Sequence, residues 1–226
     1  MAQSGEVDVT VPVASPKLTK GQRTRQRIFD AALALFGARG FAAVSLRDIA
    51  AEVGITHVTV LHYFASKDDL LVELMVQRDQ IEREATQAFL AGDHATDARP
   101  GEPRSPGLRW FLRRLQRNAD EYGAAPLFLK ISAEATGVDH PAHQHFVRRY
   151  AYVVDMLAAS FAEEYAFYPD RRFPLSARLA AQHLVAIADG AQIQAIYAAT
   201  PEAVLEQAWA YLEVLGLAIR PSSSEV

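Results

Sequence analysis

Three helix starts and one glycine stop crowd into the stretch from Ser45 to Asp69, and that succession restricts this part of the chain to a tight cluster of short helices. Ser45 with Asp48 three residues on has the reciprocal capping pattern, Leu46, Ile49, Ala50 and Val53 are spaced to bury one face, and Gly54 ends the helix. Thr56 then caps a third, short helix from His57 to about Ala65, with Val60 and Phe64 one turn apart. Ser66 with Asp69 opens a longer fourth helix through Leu70, Leu71, Leu74, Ile81, Ala85 and Phe89. Upstream, Ile28, Ala32, Leu35 and Phe36 predict a first helix from about Thr24, stopped by Gly40. A capped helix, a glycine turn and a second short helix form the layout of a helix-turn-helix.

The rest of the chain continues in helical rhythm. The stretch 91–107, AGDHATDARPGEPRSPG, is too rich in proline and glycine for regular structure and reads as a loop. Amphipathic segments follow at about 108–122, 126–137, Pro141 to Tyr168, 175–199 and 201–219, and no alternating β pattern interrupts them. The expected class is all-α: a three-helix head carrying the helix-turn-helix over 21–66, and a helical body over 67–219. Residues 1–20, small and containing Pro12 and Pro16, are expected to be a disordered arm, and 220–226 a tail.

Charge distribution points the head at a polyanion. Between residues 17 and 67 eight basic residues face three acidic ones, while the whole chain carries −4. A compact basic segment on an acidic body suits a module that meets nucleic acid through one end. The absence of cysteine excludes disulfides, thiol nucleophiles and thiolate metal sites. No apolar run approaches the roughly 18–20 residues that span a bilayer, so no membrane partner and a cytoplasmic location are expected.

The residues themselves match a known pattern. Ile28-Phe29-Asp30-Ala31-Ala32 with Leu35-Phe36 and Gly40-Phe41, then Ser45-Leu46-Arg47-Asp48-Ile49-Ala50, Glu52-Val53-Gly54-Ile55-Thr56 and Tyr63-Phe64-Ala65-Ser66-Lys67-Asp68-Asp69-Leu70-Leu71 resemble the DNA-binding domain of the tetracycline-repressor (TetR) family of transcriptional regulators. The resemblance runs from about Arg23 to Leu71. It implies a ligand-responsive regulator, most often a repressor, that binds double-stranded operator DNA as a homodimer and is released by a small molecule. The other reading is a helical interaction module or small enzyme whose head no longer binds DNA; a gel shift on the upstream region separates them.

A helix fits the major groove, where residues at its N-terminal end reach furthest. Here those are Thr56, His57, Val58 and Thr59. His57 suits a purine edge, Val58 a thymine methyl, and the two threonine hydroxyls base or phosphate. The resemblance implies the same roles, with phosphate contacts from Tyr63 and Lys67; Ser45 and Arg47 are candidates for the same work at the second helix. One position departs from the family pattern: where most members have a tyrosine, this chain has Leu61, followed by His62. Either His62 replaces the phenolic phosphate contact or Leu61 makes an apolar one. The basic run from Lys17 to Arg27 reads either as a solubilising tail or as a DNA-contacting arm.

In the body, Trp110, Phe128, Phe146, Tyr150 and His183 are the candidates for lining a pocket for a small-molecule effector. Ala188, Ala191 and Ala195 with Leu205, Leu212 and Leu215 are the candidates for a four-helix dimer interface. His140, His143 and His145 suit a surface or interhelix role better than a metal site, because no carboxylate lies at a favourable spacing. No phosphate loop, G-x-S-x-G elbow or H-E-x-x-H is present, and the dispersed acidic residues read as solvated helical faces. No enzyme activity, cofactor or metal is expected.

Overall fold

The computed structural model describes residues 19–92, 98–120, 125–198 and 200–219. These form α1 (Lys20–Arg39), α2 (Leu46–Val53), α3 (His57–Tyr63), α4 (Lys67–Ala91), α5 (Pro106–Asp120), α6 (Ala125–Glu134), α7 (His143–Ala166), α8 (Ala177–Ala198) and α9 (Glu202–Val214), with no strand among the described residues. The protein is all-α, as its periodicity predicts. Most of the expected arm, residues 1–18, and the tail 220–226 lie outside the described residues.

α1 begins earlier than its apolar stripe suggests. Thr19 accepts from the Gln22 amide at 3.2 Å while Gln22 Oε1 accepts from the Thr19 amide at 2.8 Å. This capping box starts the helix about two turns upstream of its first buried residue, Ile28, so Lys20 and Arg23 belong to α1. α3 ends at Tyr63, where Phe64 leaves the helical conformation with φ −139°.

Two apolar cores hold the molecule. The first gathers Ile28, Phe29, Phe36, Ile49, Val60 and Phe64 of the head and continues through Leu70, Leu71, Leu74 and Met75 into Leu127 and Ile131 of α6 and Phe146 of α7. It therefore crosses the division expected between residues 66 and 67. Side chains buried this completely contribute roughly 1.5–3 kcal/mol each relative to exposure. The second core joins α5, α7, α8 and α9 through Leu108, Leu115, Leu157, Phe161, Leu184 and Leu212. α5 and α7 approach closely at Gly107, where an added Cβ would lie 2.0 Å from Ser160 Oγ.

The residues expected at a dimer interface sit elsewhere. Ala188, Ala191, Ala195, Leu212 and Leu215 are buried in the second core of the protomer itself, and Leu205 packs half-buried against it. The five buried side chains serve the packing of α8 against α7 and α9 and are not free to meet a second subunit, whereas Leu205 keeps part of its surface open. The outward stripe of α8 carries Leu179, His183, Ala186, Ile193 and Tyr197, all exposed.

Candidate nucleic-acid interface

The helix-turn-helix is assembled by local signals that the sequence carries. Ser45 Oγ accepts from the Asp48 amide at 3.2 Å and Asp48 Oδ2 accepts from the Ser45 amide at 2.8 Å. The Ser45 hydroxyl and then the Ser45 N–H hold the Asp48 carboxyl below the usual carboxylate range. Gly54 closes α2 in the left-handed conformation, φ 71°, and Ile55 N–H reaches the Ala50 carbonyl at 2.9 Å. Thr56 caps α3 by accepting from the Thr59 amide at 3.1 Å, and the two hydroxyls lie 2.8 Å apart.

α3 is pinned by its inner face and open on its outer one. Val60 and Phe64 are fully buried, Phe64 edge-on to Phe29 at 5.1 Å. Val58, by contrast, is 74% exposed and Leu61 42%. His57 and Thr59 are half-buried; His62 is exposed, edge-on to Tyr63 at 5.5 Å. The α1–α2 turn, Ser45, His57 and Lys67 line an open concavity of about 390 Å³. Arg47 is exposed on α2.

Three of the candidate DNA-contacting residues are already engaged by other groups of the protein. Lys67 Nζ donates to the Phe41 carbonyl at 2.9 Å and to that of Ala42 at 3.5 Å. Arg25 and Arg27, from the expected basic arm, are likewise committed: Arg25 pairs with Glu73 and covers the Phe29 and Phe64 rings, and Arg27 donates to the Val53 carbonyl. Sequence reasoning missed both roles, because their partners are distant in sequence.

The effector candidates do not converge on one pocket. Trp110 N–H donates to Thr86 Oγ1 at 2.8 Å beside a cavity of only about 20 Å³. Phe128 lines a different cavity, of about 270 Å³, below the Arg78 guanidinium. Phe146 is buried in the first core, Tyr150 donates to Asp189 Oδ2 at 2.8 Å, and His183 lies on the outer face of α8. Nor are the body's acidic residues all solvated: Asp79 and Glu164 are buried. His145 Nε2 is 3.2 Å from Asp79, whereas His143 Nδ1 meets the Ala135 carbonyl at 2.8 Å, so these histidines serve separate partners. No group of three or more metal-binding side chains gathers among the described residues, and no described helix is long and apolar enough to cross a membrane.

Comparison with known proteins agrees with this architecture. Residues 28–74 match the family described as bacterial regulatory proteins, tetR family. The HTH-type transcriptional regulator AcrR of Shigella flexneri is 40% identical over 24% of this chain and 26% of its own length. The regulator BetI of Agrobacterium fabrum is 36% identical over 33% of this chain and 37% of its own. The chain thus matches about a quarter to a third of the length of these relatives. A putative regulator from Saccharomonospora viridis, solved in complex with choline, superposes with a TM-score of 0.68 over 88% of this chain and 99% of its own at 20% identity, which establishes a common fold. Residues 28–74 of the head thus match the TetR family of bacterial regulatory proteins, and the described chain shares the fold of the S. viridis regulator.

Proposed function

We propose that the protein is a ligand-responsive, DNA-binding transcriptional regulator that acts as a homodimer, in the usual case as a repressor. The observation that carries this reading is α3: its buried Val60 and Phe64 fix it in the head while Val58 and Leu61 face solvent. Exposed aliphatic side chains on an otherwise well-packed short helix suit contact with thymine methyls in the major groove. His57 and His62 flank them as hydrogen-bonding groups. Ser45, Arg47, Thr56, Thr59 and Tyr63 are proposed to add base or phosphate contacts.

The dimer is proposed to form through the outer stripe of α8. Ile193, Ile196 and Tyr197 are exposed on one face, and Ala186 and Gly190 along it allow close approach of a second backbone. Two heads related by a two-fold axis would read half-sites about 34 Å apart on a partly palindromic operator. α4 runs from the first core to the body, where Phe89 lies 5.0 Å from Trp110, so a ligand that shifts α4 changes the spacing of the heads. No catalytic role is proposed.

Fluorescence anisotropy with the chain's own upstream DNA tests the proposal. Specific binding should be nanomolar and fall steeply with salt. Binding no tighter than to unrelated duplex would refute it.

A further inference from the structure

The cavity of about 270 Å³ lies where head meets body, lined by Phe29 and Leu33 of α1, Leu74 and Arg78 of α4, Arg117 of α5 and Phe128 of α6. One side is thus apolar and the other carries two guanidinium groups, with the carboxylates of Asp30 and Glu82 also at the wall. Arg78 Cζ lies over the Phe128 ring, 3.6 Å from its centre.

Around this wall most carboxylates are engaged by other groups: Asp30, at the cavity itself, accepts from Gln26 Nε2 at 2.9 Å. Asp79 is committed to His145 and Arg149, and Asp189 accepts from Tyr150. Glu82 is left for Arg78, Arg114 and Arg117. Its approach to Arg117 is 4.0 Å, and its Oε2 is buried without a hydrogen bond. Arg78 Nη1 and Arg114 Nε are also buried and meet no acceptor among the described residues. Burial, followed by repulsion from Arg149, lowers Arg78 to about 10 and depresses Arg114 as well. Buried donors in this state gain strongly from an anion that shares them.

The geometry points to a small organic carboxylate as the occupant of this cavity, its carboxylate paired with Arg78 and Arg117 and its apolar body against Phe29, Leu33, Leu74 and Phe128. Naming it the effector rests on the ligand-responsive function proposed above. Such an occupant touches α1 and α4 together, and so bears directly on the head. A quaternary ammonium such as the choline in the S. viridis structure would be placed beside the Arg78 and Arg117 guanidinium groups, offset only by Asp30 and Glu82, and serves as the control of opposite charge.

Calorimetric titration of the full chain with benzoate, phenylacetate, 4-phenylbutyrate and octanoate, each beside its primary amide, tests the site. At least one carboxylate should bind tenfold or more tighter than its amide, and choline should not bind. Arg78→Gln should remove the preference, and Glu82→Gln, which deletes a competing carboxylate, should increase it. Arg117→Gln, at a partly exposed side chain, carries the same test if Arg78→Gln fails to fold. Equal affinities for acid and amide, undiminished carboxylate binding in the arginine variants, or no binding across the series would overturn the site. A carboxylate that meets these criteria yet leaves DNA binding unchanged would uphold the site and remove its role as effector.

Discussion

Lys67 Nζ donates to the Phe41 carbonyl at 2.9 Å and stands 4.3 Å from the centre of the Phe41 ring, so the first residue of α4 is latched to the turn that follows α1. Phe41 in turn packs edge-on against Phe36 at 5.2 Å. The latch fixes the start of the helix that joins head to body, beside the concavity that Ser45 and His57 share with Lys67. A lysine at this place holds the shape of the head.

Lys67→Ala should therefore destabilise the chain by about 1–2 kcal/mol, the combined loss of a charge-assisted hydrogen bond and a cation–π contact. Operator affinity should fall by a similar factor for matched and mismatched sequences. Chemical denaturation and anisotropy across a salt series measure both effects. Unchanged stability with a log-log salt slope shallower by about 1 would instead identify Lys67 as a phosphate contact alone.

Val58 offers a sharper test of base reading, because it is the most exposed apolar residue of α3. Val58→Ala should cost about 1 kcal/mol on the natural operator and nothing on an operator in which uracil replaces the contacted thymine. His57→Ala should relax preference at one position of a mismatch series, at roughly 1–3 kcal/mol. A uniform loss across that series would assign His57 to the backbone.

Ile193→Glu with Tyr197→Glu should convert a dimer to a monomer in light scattering without unfolding it, since both side chains point outward. Leu212→Glu should behave differently. It places a charge in a fully buried position and should unfold the protomer. Monomers from the latter that keep a native melting transition would contradict this division.

The head was legible because its signals are local. Ser45 with Asp48, Gly54 and Thr56 each act within one helical turn, and the structure places α2 and the start of α3 where they predict. The body was legible as helices but not as surfaces. Ala188, Ala191 and Ala195 look the same whether they face α7 or a second subunit, and periodicity gives the stripe without naming its partner. The arginine cluster was hidden for another reason. Arg78, Arg114 and Arg149 stand on three helices, and each alone reads as a solvated charge until packing buries it between neighbours.

Two aspartates, Asp79 buried and Asp189 half-buried, should give the protein opposite responses to pH. Burial favours protonation of Asp79, but the His145 hydrogen bond and the charges of Arg149 and His145 outweigh it and hold the carboxyl below its unfolded value of 3.8. Its contribution to stability is present above that value and is lost as pH falls through the lower folded one. Asp189 is the reverse case. Burial raises it, against the Tyr150 hydrogen bond and the charges of Arg114 and Arg149, so its contribution is present below 3.8 and is lost as pH rises through the folded value. At pH 7, Asp79→Asn should destabilise the chain by roughly 3 kcal/mol, since it leaves Arg149 without its buried partner. Asp189→Asn, which can still accept from Tyr150, should stabilise it at the same pH. Denaturant titrations at pH 7 and near pH 3.5 distinguish the two, because both differences from the unaltered protein should shrink in acid. A destabilised Asp189→Asn at pH 7 would show that the carboxylate is held by Arg114 and Arg149 more strongly than burial opposes it.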